Sequence, residues 1–201
     1  MRGPGRIVAR AETDSSLADA RAFDPGARCA RLPGFPMARE TPRPTHFVRS
    51  RAGLEARMVD VGAKPATART ALARAVIAFP PRVLAALLAG RGPKGPVREV
   101  ARAAGVLAAK RTDALIPLCH TLPLDAVDVA FRRLSARRLE VRCRASCRAP
   151  TGVEMEALVG VAVAALTVYD MGKALGHGIR IEALELLEKR GGRSGAWRRG
   201  R

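Results

Sequence analysis

Aromatic residues are scarce in this chain, at 3% of 201 positions, with a single Trp and a single Tyr. A surface that binds nucleic acid by stacking bases needs rings set close together on a sheet or groove, and no stretch with strand character offers a pair. An RNA-binding sheet, the reading first invited by a net charge of +18, therefore ranks second. Lysine is scarce in a different sense. Of 36 basic residues only five are lysines, Lys64, Lys94, Lys110, Lys173 and Lys189. Where arginine is the default cation a lysine stands out, because an amine gives up its proton under perturbation and a guanidinium effectively does not. Four cysteines, Cys29, Cys119, Cys143 and Cys147, are too few for a disulfide framework in a chain of this size. A zinc site would have to join Cys119 and His120 to Cys143 and Cys147, but the last two share one face of an alternating strand with Val141 and Ala145 and read as core. Neither a signal-peptide pattern nor an uncharged run long enough for a bilayer is present, so a reducing cytoplasm is expected. No Walker spacing and no GxGxxG opens a helix, which argues against a conventional nucleotide-binding fold.

What is present begins with charge, and its distribution says more than its total. Residues 1–44 carry a net +3, residues 45–186 a net +10 and residues 187–201 a net +5, so the excess is spread along the chain instead of forming one basic arm. Residues 1–44 mix Gly, Pro, Arg and Ser without apolar periodicity and are expected to be a disordered extension. Translation starting at Met37 would place most of them upstream of the protein proper. Order is expected from residue 45 to residue 189, followed by a flexible basic tail from residue 190 onward.

Within the ordered region, residues 69–79 can be read as a strand, although their alanines leave a helix open, and Pro80 and Pro81 open a helix that Gly90 ends. The loop at 91–96 lifts Lys94 between glycines and prolines. A helix over 97–110 places Val97, Val100, Ala101, Ala104 and Ala108 on one side. A hairpin follows, with Val127, Val129 and Phe131 on one arm, a turn at 135–137, and a return strand that buries Leu139, Val141, Cys143, Ala145 and Cys147. The opposite face of that strand carries Glu140, Arg142, Arg144, Ser146 and Arg148, which reads as solvated surface before it reads as an anion-binding face. The central feature is the stretch 151–173. Thr151 stands three residues before Glu154 in a capping-box pattern, no charge occurs from residue 157 to residue 168, and Tyr169, Asp170 and Lys173 then follow abruptly. A helix apolar on all sides needs protein around most of its circumference. A last strand covers 179–189. Strand, helices, two strands, helix, strand builds an α+β sandwich of ferredoxin-like kind, an antiparallel sheet with helices packed on one face. Its surplus apolar helix surface predicts a homo-oligomer.

Asp170 and Lys173, at i and i+3, meet on one helix face. Alone they are an ordinary ion pair; at the end of a buried helix a partly buried carboxylate beside an ammonium suits an acid/base couple, with either pKa moved towards neutrality. Glu154 and Glu156 sit where a helix N-terminus favours carboxylates. Lys94 and Lys110 suit phosphate oxygens. His120, alone, reads as a core histidine. Together these residues suggest a small polyphosphate substrate with an acid/base pair at its reacting end.

The blocks MVDVGAK (58–64), KG (94–95), AAKRTDALIPLCH (108–120), TGVEMEALVGVAVAALTVYDMGKAL (151–175) and GGRSG (191–195) closely resemble the cyclic pyranopterin monophosphate synthases of molybdenum cofactor biosynthesis. The resemblance runs from about residue 45 to the C-terminus. It implies a lyase that converts 3′,8-cyclo-dihydro-GTP to cyclic pyranopterin monophosphate and diphosphate. Such a reaction needs acids, bases and phosphate ligands; no cofactor is required, and Mg²⁺ with the substrate phosphates is left open. Matched by position, it implies that Asp170 is the catalytic aspartate and Lys173 its nearby lysine. Leu118, Cys119, His120, Met155, Glu156, Lys94 and Lys110 are implied to bind substrate. It further implies a hexamer, a trimer of dimers with sites at the dimer interface, and no nucleic-acid or membrane partner. Two places depart from the family pattern. Pro93 and Pro96 flank the Lys94–Gly95 pair where histidine and aspartate are usual, and Thr121 follows His120 where proline is usual.

Overall fold

The structure is a computed structural model describing residues 47–50 and 53–200; the expectations for residues 1–44 lie outside the described residues. A short antiparallel hairpin, β1 (Phe47–Ser50) and β2 (Gly53–Ala56), precedes the main body. The main elements then run β3 (Thr67–Ala78), α1 (Val83–Leu88), α2 (Val97–Ala109), α3 (Thr112–Leu115), β4 (Leu124–Arg133), β5 (Arg138–Ala149), α4 (Glu154–Gly172), β6 (Arg180–Arg190) and β7 (Trp197–Arg198). The five main strands form one sheet in the order β4-β5-β3-β6-β7, every neighbouring pair antiparallel. Two helical crossovers joining four strands in that order give the ferredoxin-like sandwich.

Two local expectations change. The capping box does not form: Val153 is the N-cap of α4 and no side chain caps the helix. A reciprocal box needs its carboxylate at the third helical position, whereas Glu154 occupies the first and cannot fold back. The basic tail, expected to be loose from residue 190, includes β7, which pairs Trp197 with Lys189 and Arg198 with Glu188 on β6. An ion pair from Arg198 to Glu188 at 2.8 Å supports that pairing. The one-turn helix α3 has too few residues for any apolar period to announce it.

The core lies between the sheet and α4. On β3 the inner residues Ala71, Ala73, Ala75 and Ile77 are all buried, as are Leu139, Val141, Cys143, Ala145 and Cys147 on β5, so both cysteines are core residues. The small alanines let α4 settle close, burying Ala157, Val161, Ala164, Ala165 and Val168. The helix and its following turn reach a mean hydropathy of 1.5 over 18 residues; these buried contacts make it a core helix. Protein does not cover it completely, however: Leu166 is 56% exposed.

Helix α2 packs beside α4 where each contributes a glycine. A Cβ on Gly105 would stand 2.9 Å from the Gly160 carbonyl oxygen, and one on Gly160 would stand 2.8 Å from Cys143 Sγ. The start of α2 lies towards the end of α4, since Gly92 is near Met171, while Ala109 near the end of α2 meets Gly160. The two helices are therefore antiparallel, and each end of α4 gathers a different set of polar groups.

On the outer face of the sheet Arg144 and Arg148 are exposed, as a solvated face requires, but Glu140 is enclosed. Glu140 has no exposed side-chain surface and lies 2.9 Å from both Arg132 and Arg142, with Arg74 at 3.6 Å. Burial pushes its pKa up, but hydrogen bonds from Arg132 and Arg142 outweigh that and hold it below the usual carboxylate range.

Candidate active site

At the start of α4 a cavity of about 550 Å³ is lined by Val59, Val61, Lys64, Leu118, Cys119, His120, Leu122, Thr151, Gly152, Glu154, Met155 and Glu156. Three structural features bring these residues together. The segment 59–64 crosses beside the turn at 118–120, because His120 Nε2 donates to the Val59 carbonyl at 2.7 Å. A carbonyl only accepts, so Nε2 carries the proton and a neutral imidazole keeps its Nδ1 lone pair free. Leu118 has φ 66, a left-handed conformation that costs an L-residue with a side chain about 1–2 kcal/mol. This turn aims Leu118, Cys119 and His120 into one cavity. Finally, Lys189 on β6 approaches Glu154 at 3.8 Å and donates to Ser194 Oγ at 2.5 Å.

Glu156 is the chemically distinctive member. It is 4% exposed, and burial raises its pKa, assisted by the negative charges of Glu154 and Asp113. A carboxyl moved towards neutral pH is suited to holding and transferring a proton. Burial also raises the pKa of Cys119, with Glu156 and Asp113 adding to the effect. The protonated thiol is a weak hydrogen-bond donor and a poor nucleophile.

At the far end of α4, Asp170 receives hydrogen bonds from Lys173, at 2.8 Å, and from Lys94. Lys173 is the C-cap residue of α4, where the helix dipole favours a cation. Lys94 reaches Asp170 from the loop before α2, so Pro93 and Pro96 do not hold it away. The expectation of pKa values moved towards neutrality fails here. Asp170 is 49% exposed, and the two ammonium groups, Lys173 foremost, hold its pKa down at about 2 while Lys173 is raised. Mutual attraction stabilises both charged forms, and there is too little burial to oppose it.

Eight of the nine residues expected at the site thus fall into two groups. Leu118, Cys119, His120, Met155 and Glu156 meet at one end of α4; Lys94, Asp170 and Lys173 meet at the other. From Met155 to Asp170 the helix spans roughly 22 Å at about 1.5 Å per residue. Lys110 follows α2 on the first side, but it is exposed and does not line the cavity. Lys64 and Lys189 join the first group without having been assigned a role from sequence, as does Glu154, read there only as a helix N-terminal acid. The scarcity of lysine was the signal for two of them.

An α+β sandwich with a buried acid and a histidine in one cavity, and a carboxylate between two lysines elsewhere, has the groups of an enzyme that acts on a small molecule. Comparison with known proteins narrows that class. The MoaC family pattern matches residues 58–192. A cyclic pyranopterin monophosphate synthase from Thermomicrobium roseum is 54% identical over 146 residues, covering 72% of this chain and 88% of that protein. One from Novosphingobium aromaticivorans is 54% identical over 147 residues, covering 73% and 93%. One from Chloroflexus aurantiacus is 52% identical over 147 residues, covering 73% and 90%. The chain belongs to the MoaC family.

Proposed function

We propose that this chain is a cyclic pyranopterin monophosphate synthase of molybdenum cofactor biosynthesis, a lyase converting 3′,8-cyclo-dihydro-GTP to cyclic pyranopterin monophosphate and diphosphate in the cytoplasm. The observation that carries the reading is family membership across the two polar clusters, with identities above one half to synthases of that name. The chemistry agrees. Rings that open and reclose by proton transfer need a group that can hold and release a proton, which Glu156, its pKa raised by burial above the ordinary carboxylate value, supplies, and cations for the phosphates, which the lysines supply.

In this reading Leu118, Cys119, His120, Met155 and Glu156 hold the purine-derived end, Lys94 and Lys110 hold phosphates, and Asp170 with Lys173 carry proton transfer. Substrate phosphates that draw the ammonium groups away from Asp170 let its pKa rise from about 2 towards the range where it accepts and returns a proton. The reaction requires no resident cofactor, and a Mg²⁺ ion arriving with the phosphates is part of the substrate. Because roughly 22 Å of helix separates the clusters, one working site combines the Asp170 end of one subunit with the Glu156 end of another, within a hexamer made of dimers. Exposed Leu166 and Tyr169 on α4, and Val100 and Leu107 on α2, support such an assembly. Supplying 3′,8-cyclo-dihydro-GTP and assaying diphosphate and the pterin product tests the function. Folded protein without turnover would overturn it.

A further inference from the structure

Leu118 is held in its left-handed turn from both sides. On one side Cys119 N–H donates to the Ile116 carbonyl at 3.3 Å, and His120 is tied to Val59. On the other side Thr121 Oγ1 donates to Asp113 Oδ2 at 2.5 Å, while Asp113 Oδ1 accepts from the Ala114 N–H at 3.0 Å. Backbone in a sparsely populated region persists only where its surroundings over-determine it. The Asp113–Thr121 bond closes a loop that contains Leu118, Cys119 and His120, all three of which line the cavity. It also fixes Asp113, whose charge acts on both Cys119 and Glu156.

We infer that Thr121 and Asp113 form a side-chain latch that positions Leu118, Cys119 and His120 for substrate. At position 121, where the family pattern has proline, a ring stiffens the chain covalently; this chain obtains stiffness there from a hydrogen bond. Thr121 is a positioning residue, outside the cavity lining, and acts through the three residues before it. The assignment of substrate rests on the synthase reading above, whereas the latch itself does not.

Two measurements separate them. Thr121→Val keeps the shape and removes the donor. It is expected to raise KM for 3′,8-cyclo-dihydro-GTP about three- to tenfold, the effect of one net hydrogen bond, with a smaller change in kcat and an unchanged melting temperature. Thr121→Ser is expected to restore wild-type KM. Independently of any turnover, Thr121→Val is expected to speed labelling of Cys119 by iodoacetamide, and Thr121→Ser to return it to the wild-type rate. A purely structural role would lower the melting temperature without shifting KM or Cys119 labelling. Unchanged labelling in Thr121→Val overturns the latch. Faster labelling in a protein whose wild type shows no turnover upholds the latch and overturns the synthase reading.

Discussion

Gly105→Ala tests the idea that α2 and α4 meet backbone to backbone. The new methyl group would stand 2.9 Å from the Gly160 carbonyl oxygen and 3.1 Å from both Ala164 Cβ and Val129 Cγ2. Val129 has rotamers to try, but a carbonyl inside α4 cannot turn aside, so the helices must part by some tenths of an ångström. Overpacking of this kind costs about 1–3 kcal/mol, and alanine returns up to about 1 kcal/mol over glycine in helix propensity. A net loss of roughly 1–2 kcal/mol remains, which lowers Tm by about 2–8 °C in a chain of this size. The measurement is a thermal melt at fixed protein concentration, because assembly couples to stability. Ala103→Gly, on the exposed side of α2, supplies the propensity change alone. A Gly105→Ala protein that melts at or above the wild-type temperature would refute the close helix crossing.

Glu140→Gln leaves three arginines without the carboxylate they enclose. Those arginines are partly exposed and can rehydrate, so the expected cost is about 1–3 kcal/mol, read from denaturant midpoints. Since the folded pKa of Glu140 is depressed, its contribution is present above the unfolded carboxylate pKa and lost as pH falls through the folded value. Wild type and Glu140→Gln should therefore converge in stability at low pH. Lys94→Met should raise the pKa of Asp170 from about 2, visible in a carboxyl-carbon NMR titration; no movement would mean that Lys94 does not reach Asp170. Cys143, whose pKa burial pushes up to about 12, should resist iodoacetamide until the protein unfolds, whereas partly exposed Cys119 reacts in the native state. Mixing inactive Asp170→Asn and Glu156→Gln subunits after joint refolding should restore part of the activity if each site draws on two chains. Failure of both proteins to complement would place the two clusters in separate roles.

The sequence by itself determined the sandwich. Its alternating strands, the uncharged stretch from residue 157 to residue 168 and the Pro and Gly boundaries are local signals, and they specify which faces must be buried. It also marked Asp170, Lys173, Cys119, His120, Met155 and Glu156, because their motif blocks are legible without coordinates. Only the tertiary structure decided which of these meet. Antiparallel packing of α2 on α4 sends Lys94 to Asp170, while the loop from residue 59 and strand β6 bring Lys64 and Lys189 to the opposite end. Spacing along one chain cannot reveal such long-range pairings. Protonation followed the same division: burial raised Glu156 and two neighbouring lysines lowered Asp170, reversing the expectation for the aspartate. A pKa depends on the charges and solvent around a group, and those exist only once the chain has folded.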